Sequence, residues 1–214
     1  MTFAYTSDGY METITDPLGS TVRFAYDAAG RLTTQTLADS RIVRYSYDAA
    51  GNRVAIIPSG RSAHTFTYNP VGLVSAYSPP NVGADANDTG YAFDTDRRLT
   101  RISRPDGQTV EFSFDAGGRS STVVLPRGQV QRSYDPNTGN LASITAPGGI
   151  VVAFSHEATL LTGESWSGPV AGRVSRTYDN SFRMSSQSLA GGASVSYRYD
   201  NDGWVTQAGP LLLS

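Results

Sequence analysis

Apolar and polar side chains alternate with a period of two through Thr21-Val22-Arg23-Phe24-Ala25-Tyr26. Val22, Phe24 and Tyr26 share one face and Arg23 and Ala25 the other, the pattern of a half-buried β-strand. The alternation returns at Val43, Tyr45 and Tyr47, at Val110, Phe112 and Phe114, at Ile150, Val152 and Phe154, and at Val195, Tyr197 and Tyr199. A turn signal follows each run. In Asp27-Ala28-Ala29-Gly30, aspartate suits the first position of a type I turn, and glycine accepts the positive φ of the bulge that joins such a turn to two strands. Residues 31–37 then return as a second strand. Comparable return strands carry Val54 and Ile56, Leu99 and Ile102, and Leu141 and Ile144. A second turn, often marked by Pro and Gly, closes the period at Asp16-Pro17-Leu18-Gly19, Pro58-Ser59-Gly60, Pro105-Asp106-Gly107, Pro126-Arg127-Gly128 and Pro147-Gly148-Gly149.

The unit repeats along the whole chain. Aromatic anchors stand at Tyr5, Tyr26, Tyr47, Tyr68, Phe93, Phe114, Tyr134, Phe154, Tyr178 and Tyr199, with gaps of 21, 21, 21, 25, 21, 20, 20, 24 and 21. Several anchors are followed by Asp and then Gly: Asp27 and Gly30, Asp48 and Gly51, Asp115 and Gly118, Asp135 and Gly139, Asp200 and Gly203. Tyr68 keeps only Gly72, and Phe93 and Tyr178 keep only Asp94 and Asp179. Such a period fixes the architecture before any single motif does. Ten periods of two strands predict an all-β fold: a continuous antiparallel hairpin meander, curved into a partial β-shell or solenoid, because wide sheets twist and curl. The expected organisation is one array over residues 1–214, with longer inserts at 78–90 and 162–173, each either a surface insertion or a corner.

Composition narrows the chemistry. All 17 basic residues are arginine, 15 of the 19 acidic residues are aspartate, and there is no cysteine. Disulfides and thiolate metal sites are therefore excluded. The net charge of −2 carries no basic footprint for nucleic acid, and no apolar run reaches membrane-spanning length. The two histidines, His64 and His156, lie in different periods and read as a wall residue and a turn residue, so neither catalytic residues nor a metal or cofactor site is expected. The acidic stretch Asp85-Ala86-Asn87-Asp88 lacks the spacing of a calcium loop and reads as a solvated turn. The recurrent aspartates occupy equivalent turns, which argues for one repeated structural task. The aromatic rows fit cross-strand packing better than a sugar platform. Trp166, set among Gly and Pro, is the candidate exposed contact, and Trp204 is expected to pack.

Tyr26-Asp27-Ala28-Ala29-Gly30-Arg31-Leu32-Thr33, Tyr47-Asp48-Ala49-Ala50-Gly51-Asn52-Arg53 and Tyr134-Asp135-Pro136-Asn137-Thr138-Gly139-Asn140-Leu141 resemble the YD repeats of bacterial Rhs proteins, of the B and C components of insecticidal Tc toxins, and of animal teneurins. Tyr178-Asp179-Asn180 and Tyr199-Asp200-Asn201-Asp202-Gly203 add two further copies, and the resemblance covers almost the whole chain. It implies a spiral of hairpins forming a hollow shell, which encloses a toxin domain in Rhs and Tc proteins and belongs to an extracellular adhesion protein in teneurins. On the family's pattern this chain is short for a closed shell, lacks the Asp-Pro-x-Gly-Leu core motif, and carries no toxin domain after Tyr199. A shell segment is the expectation.

The function expected is a non-enzymatic wall that encapsulates or scaffolds a toxin or other cargo polypeptide, associating through open sheet edges with flanking YD repeats or with itself. The alternative is an extracellular adhesion module for a glycan or a cell surface. The resemblance implies a secreted or cell-surface parent protein, with no nucleic acid partner and no membrane span.

Overall fold

A computed structural model describes residues 1–80 and 88–212. The stretch 85–87 of the acidic turn lies outside them. Among the described residues there is no helix. The chain divides into two compact units, residues 1–109 and 110–214.

The first unit contains β1 (Thr2–Tyr5), β2 (Met11–Thr15), β3 (Thr21–Tyr26), β4 (Leu32–Thr36), β5 (Ile42–Tyr47), β6 (Arg53–Ile57), β7 (His64–Tyr68), β8 (Val74–Ser78), β9 (Thr89–Phe93) and β10 (Leu99–Ser103). Each strand pairs antiparallel with the next. The second unit runs from β11 (Thr109–Phe114) through β12 (Ser120–Leu125), β13 (Gly128–Tyr134), β14 (Leu141–Ala146), β15 (Ile150–Glu157), β16 (Leu160–Ser167), β17 (Gly172–Tyr178), β18 (Met184–Leu189), β19 (Ser194–Tyr199) and β20 (Val205–Ala208) to β21 (Leu211–Leu212). It too is an unbroken antiparallel meander. The all-β hairpin architecture read from the alternation is the one observed.

The anchor hairpins other than β15–β16 share one local device. Gly30 N–H donates to the Asp27 carbonyl at 2.9 Å, and Asp27 N–H donates to the Arg31 carbonyl at 3.0 Å. Gly30 has φ +75°. The register then slips: Tyr26 pairs with Leu32 but Ala25 with Thr34, so Thr33 is the extra residue of a β-bulge. The same slip precedes Tyr5, Tyr47, Tyr68, Phe114, Tyr134, Tyr178 and Tyr199. The bulge keeps the anchor and the first residue of the return strand on one face despite an odd turn.

Hairpin β15–β16 differs from the sequence reading. Its slip falls between Ser155 and His156, with His156 opposite Leu161. His156 therefore holds the anchor position, and Phe154 sits two residues earlier on the same face. Tyr134 to His156 and His156 to Tyr178 are both 22 positions, so the apparent gap of 24 dissolves. Residues 162–167 are not an insert but part of β16, in register with β15 and β17.

Among the described residues, neither unit has a second layer. Among the described residues, strands within a unit touch only their neighbours in sequence, and Gly163 alone is buried. Burial alternates instead: in β3, Val22, Phe24 and Tyr26 are half-buried while Arg23 and Ala25 are exposed.

Candidate functional site

The anchor turns form a ladder that ties each hairpin to the next. In the second repeat Asp27 Oδ1 accepts from the N–H groups of Ala29 at 2.9 Å and Arg31 at 3.0 Å. Asp27 Oδ2 accepts from Arg31 Nε at 2.8 Å. A short Asp or Asn side chain suits the position because its oxygen reaches its own backbone two and four residues on, as Asn69 also does toward Val71 and Leu73. Arg31 then reaches into the third repeat, where its Nη1 donates to the Asp48 carbonyl at 3.3 Å and its guanidinium lies 4.9 Å from the Tyr47 ring centroid. Tyr47 Oη returns the contact by donating to the Leu32 carbonyl at 2.9 Å. Two successive repeats are thus joined by a guanidinium–ring stack and two hydrogen bonds, beyond their strand pairing.

The rung recurs. Tyrosine Oη groups donate back to Met11 from Tyr26, to Arg53 from Tyr68, to Ser120 from Tyr134, to Leu161 from Tyr178 and to Met184 from Tyr199, all at 2.8–3.0 Å. Arg119 stacks on Tyr134 and Arg183 on Tyr199, at 4.2 and 4.7 Å. Arg119 Nη1 also reaches the Gly139 carbonyl and Arg183 Nη1 the Asp200 carbonyl. In the first repeat Tyr10 replaces the arginine and stacks on Tyr26 at 5.0 Å. In the seventh, Asn140 Nδ2 donates to the Ala158 carbonyl at 2.6 Å.

These bonds set the electrostatics. The backbone N–H of Arg31, aided by its guanidinium, holds the Asp27 carboxyl below the usual carboxylate range against the opposing effect of desolvation. Asp115 and Asp179 are lowered in the same way by the backbone N–H groups of Arg119 and Arg183. The Asn52 side chain lowers Asp48, and the Thr138 backbone N–H lowers Asp135. At Asp94 desolvation is the largest influence and acts upward, but the bonds from Arg98 outweigh it. The carboxylates are engaged in capping turns, and Asp27, Asp94, Asp115 and Asp179 also bind guanidinium.

The aromatic face is the second feature. In the first unit Phe66 stacks on Tyr77 at 5.3 Å, and His64 Nδ1 lies 2.7 Å from Tyr77 Oη. Together with Ile56, Tyr91 and Phe93 they line an open apolar depression of about 790 Å³. His64 is a wall residue tied to its neighbour strand. The second unit carries an ion pair on this face, Arg176 to Glu164 at 2.6 Å, with the arginine side chain 17% exposed.

The two tryptophans exchange the environments read from sequence. Trp166 is half-buried in β16, and a Cβ added at Gly172 would run into its ring. Trp204 is 73% exposed. The arginine four residues after the aspartate was missed as a rung, although its recurrence at Arg31, Arg98, Arg119 and Arg183 was visible. Among the described residues no group of His, Asp and Glu is arranged to hold a metal.

The sequence matches the teneurin YD-shell family over residues 1–214. The chain belongs to that family. No curated protein matches it. Its fold is similar to crystal structures of TcdB2-TccC3-Cdc42 and of TcdB2-TccC3-TEV, with TM-scores of 0.54 and 0.55, each at 12% identity over 96% of this chain and 14% of theirs. A Photorhabdus luminescens Tc holotoxin pore structure with a mutated TccC3 is similar at a TM-score of 0.52, 12% identity, and 94% of this chain against 13% of that one. The chain thus spans about a seventh of the proteins it resembles in structure.

Proposed function

We propose that this chain is a non-enzymatic wall segment of a secreted YD shell, and that the shell it helps form surrounds a polypeptide cargo. One observation carries the reading: each unit is a single-layered sheet whose repeats are fastened to one another rather than folded around a core. A sheet fastened edge to edge, with an aromatic face left half-exposed, divides two spaces instead of enclosing a catalytic pocket. Family membership and the likeness to Tc components support this. The cargo would be a polypeptide of the same assembly, and flanking repeats would pair with the sheet edges. The test is limited proteolysis of the full parent polypeptide. Segments outside the array should resist cleavage while the array is intact and become sensitive when Asp27, Asp115 and Asp179 are replaced by alanine. Cleavage at the same rate in both forms would contradict the wall role.

A further inference from the structure

The tip of hairpin β15–β16 breaks a pairing that other anchor turns keep. Asp27, Asp94, Asp115 and Asp179 each hold the guanidinium of an arginine in their own turn. Glu157 follows His156 as those aspartates follow their anchors, but this turn is a residue shorter, with Glu157 paired to Leu160 across Ala158 and Thr159. Among the described residues its exposed carboxylate has no hydrogen bond or ion pair. Leu160 stands in the arginine's place. Tyr178 Oη donates to the Leu161 carbonyl as Tyr47 Oη donates to that of Leu32, and Leu160 precedes Leu161 as Arg31 precedes Leu32. Among the described residues no cation lies over the Tyr178 ring.

At other junctions the reaching side chain lies against the glycine of the next turn. A Cβ at Gly139 would stand 3.3 Å from Arg119 Nη1, and one at Gly30 would run into the Tyr10 ring. In the ninth repeat that position is Phe182, whose N–H donates to the Asp179 carbonyl at 2.9 Å as Gly30 N–H does to Asp27. Between Phe182 and Leu160 the surface opens into a depression of about 430 Å³, lined also by Glu157, Ala158 and Thr159. Phe182 is 73% exposed, and Ala158 and Phe182 have φ +51° and +61°. Two non-glycine residues in the left-handed region at one depression are strain kept where a bare glycine turn would be more stable.

We propose that this depression receives an arginine side chain from a second polypeptide. The guanidinium would pair with the Glu157 carboxylate, stack on the Phe182 ring and donate to the Asp179 carbonyl. Arg183 makes the same three kinds of contact one repeat on, with Asp179, the Tyr199 ring and the Asp200 carbonyl. Leu160 and the width of the depression suit an apolar residue beside the arginine. A carboxylate without a partner selects a cation, and the ring selects guanidinium over ammonium. The site lies at turn tips rather than on the aromatic face, so it does not depend on the wall reading.

The probe is the peptide acetyl-Gly-Arg-Leu-Gly-amide, titrated into the 214-residue chain while NMR follows the Leu160 methyl and Phe182 ring resonances. Saturable shifts with a Kd of about a millimolar are expected. Lysine in place of the peptide's arginine, Glu157→Gln and Phe182→Gly should each weaken binding about two- to fivefold, the reach of one exposed ion pair or cation–ring contact. Phe182→Gly relieves the left-handed backbone, so its loss of binding would not come from unfolding. Leu160→Arg supplies the guanidinium from within the chain and should abolish the shifts at Phe182. No saturation at tens of millimolar peptide, equal binding of the arginine and lysine peptides, or affinity unchanged by Glu157→Gln would overturn the proposal. Equal affinity for acetyl-arginine amide would assign the site to a small guanidinium compound and overturn the polypeptide partner. Protection of cargo from protease is a separate readout, so the wall reading stands or falls apart from these outcomes.

Discussion

At the residue scale, the fold is written in a six-residue sentence: anchor, Asp, two spacers, Gly, then a residue that reaches into the next repeat. The glycine position has an exact backbone requirement that Gly51 meets at φ +87°, with nothing within 4 Å of where a Cβ would stand. Arg97 and Phe182 occupy the same position at φ +62° and +61°. A non-glycine residue in that region costs roughly 1–2 kcal/mol, partly offset by the entropy glycine loses on folding. Phe182→Gly is therefore expected to stabilise the chain by about 0.5–1 kcal/mol, and Gly51→Ala to destabilise it by a similar amount, as urea unfolding would measure. Tyr47→Phe deletes one part-buried hydroxyl bond to the Leu32 carbonyl and should cost about 1 kcal/mol. The aspartates give the pH dependence. Folding lowers the carboxyl pKa of Asp27, Asp48, Asp94, Asp115, Asp135 and Asp179. Below about pH 4, where unfolded aspartates begin to bind protons, the unfolded chain takes up more of them. The stabilisation is complete above that value and falls away as pH drops through the folded pKa values. A urea midpoint at pH 3 equal to that at pH 6 would contradict this.

At the element scale, much was legible because the signal was local. Alternation in residues 21–26 and 42–47 fixed strands, and Asp with Gly fixed the turn that reverses them. What escaped was register and reach. The sequence offered Phe154 as an anchor, but the bulge aligns His156 with Leu161, and pattern alone could not choose between two ring-bearing residues two positions apart on the same face. Trp166 looked like a loop residue because Gly163, Gly168 and Pro169 surround it, yet β16 runs on through Gly163, the one buried residue among those described. Trp204 was expected to pack because it was read as part of a return strand; it lies one residue before β20 and is exposed. The inter-repeat bonds were invisible because they join residues 14–20 positions apart. The re-phased anchor makes a prediction. His156→Tyr should gain a hydroxyl bond to the Leu141 carbonyl, the group opposite Tyr134, and stabilise the chain by about 0.5–1 kcal/mol. Phe154→Tyr should not, and thermal unfolding of the pair separates them.

At the scale of the whole molecule, surface dominates. The accessible area is 14091 Å². Two compact domains of half this mass would together expose about 11,500 Å². The excess reflects sheets without a covering layer, in which each hairpin is stabilised by its two neighbours, so stability should behave as a sum of repeats and junctions. Hydrogen exchange read by mass spectrometry on the Tyr47→Phe chain tests that directly. Loss of protection confined to β3–β6, with β13–β18 unchanged, is the predicted result. Protection lost evenly along all the strands, as in a domain built around one shared core, would contradict it.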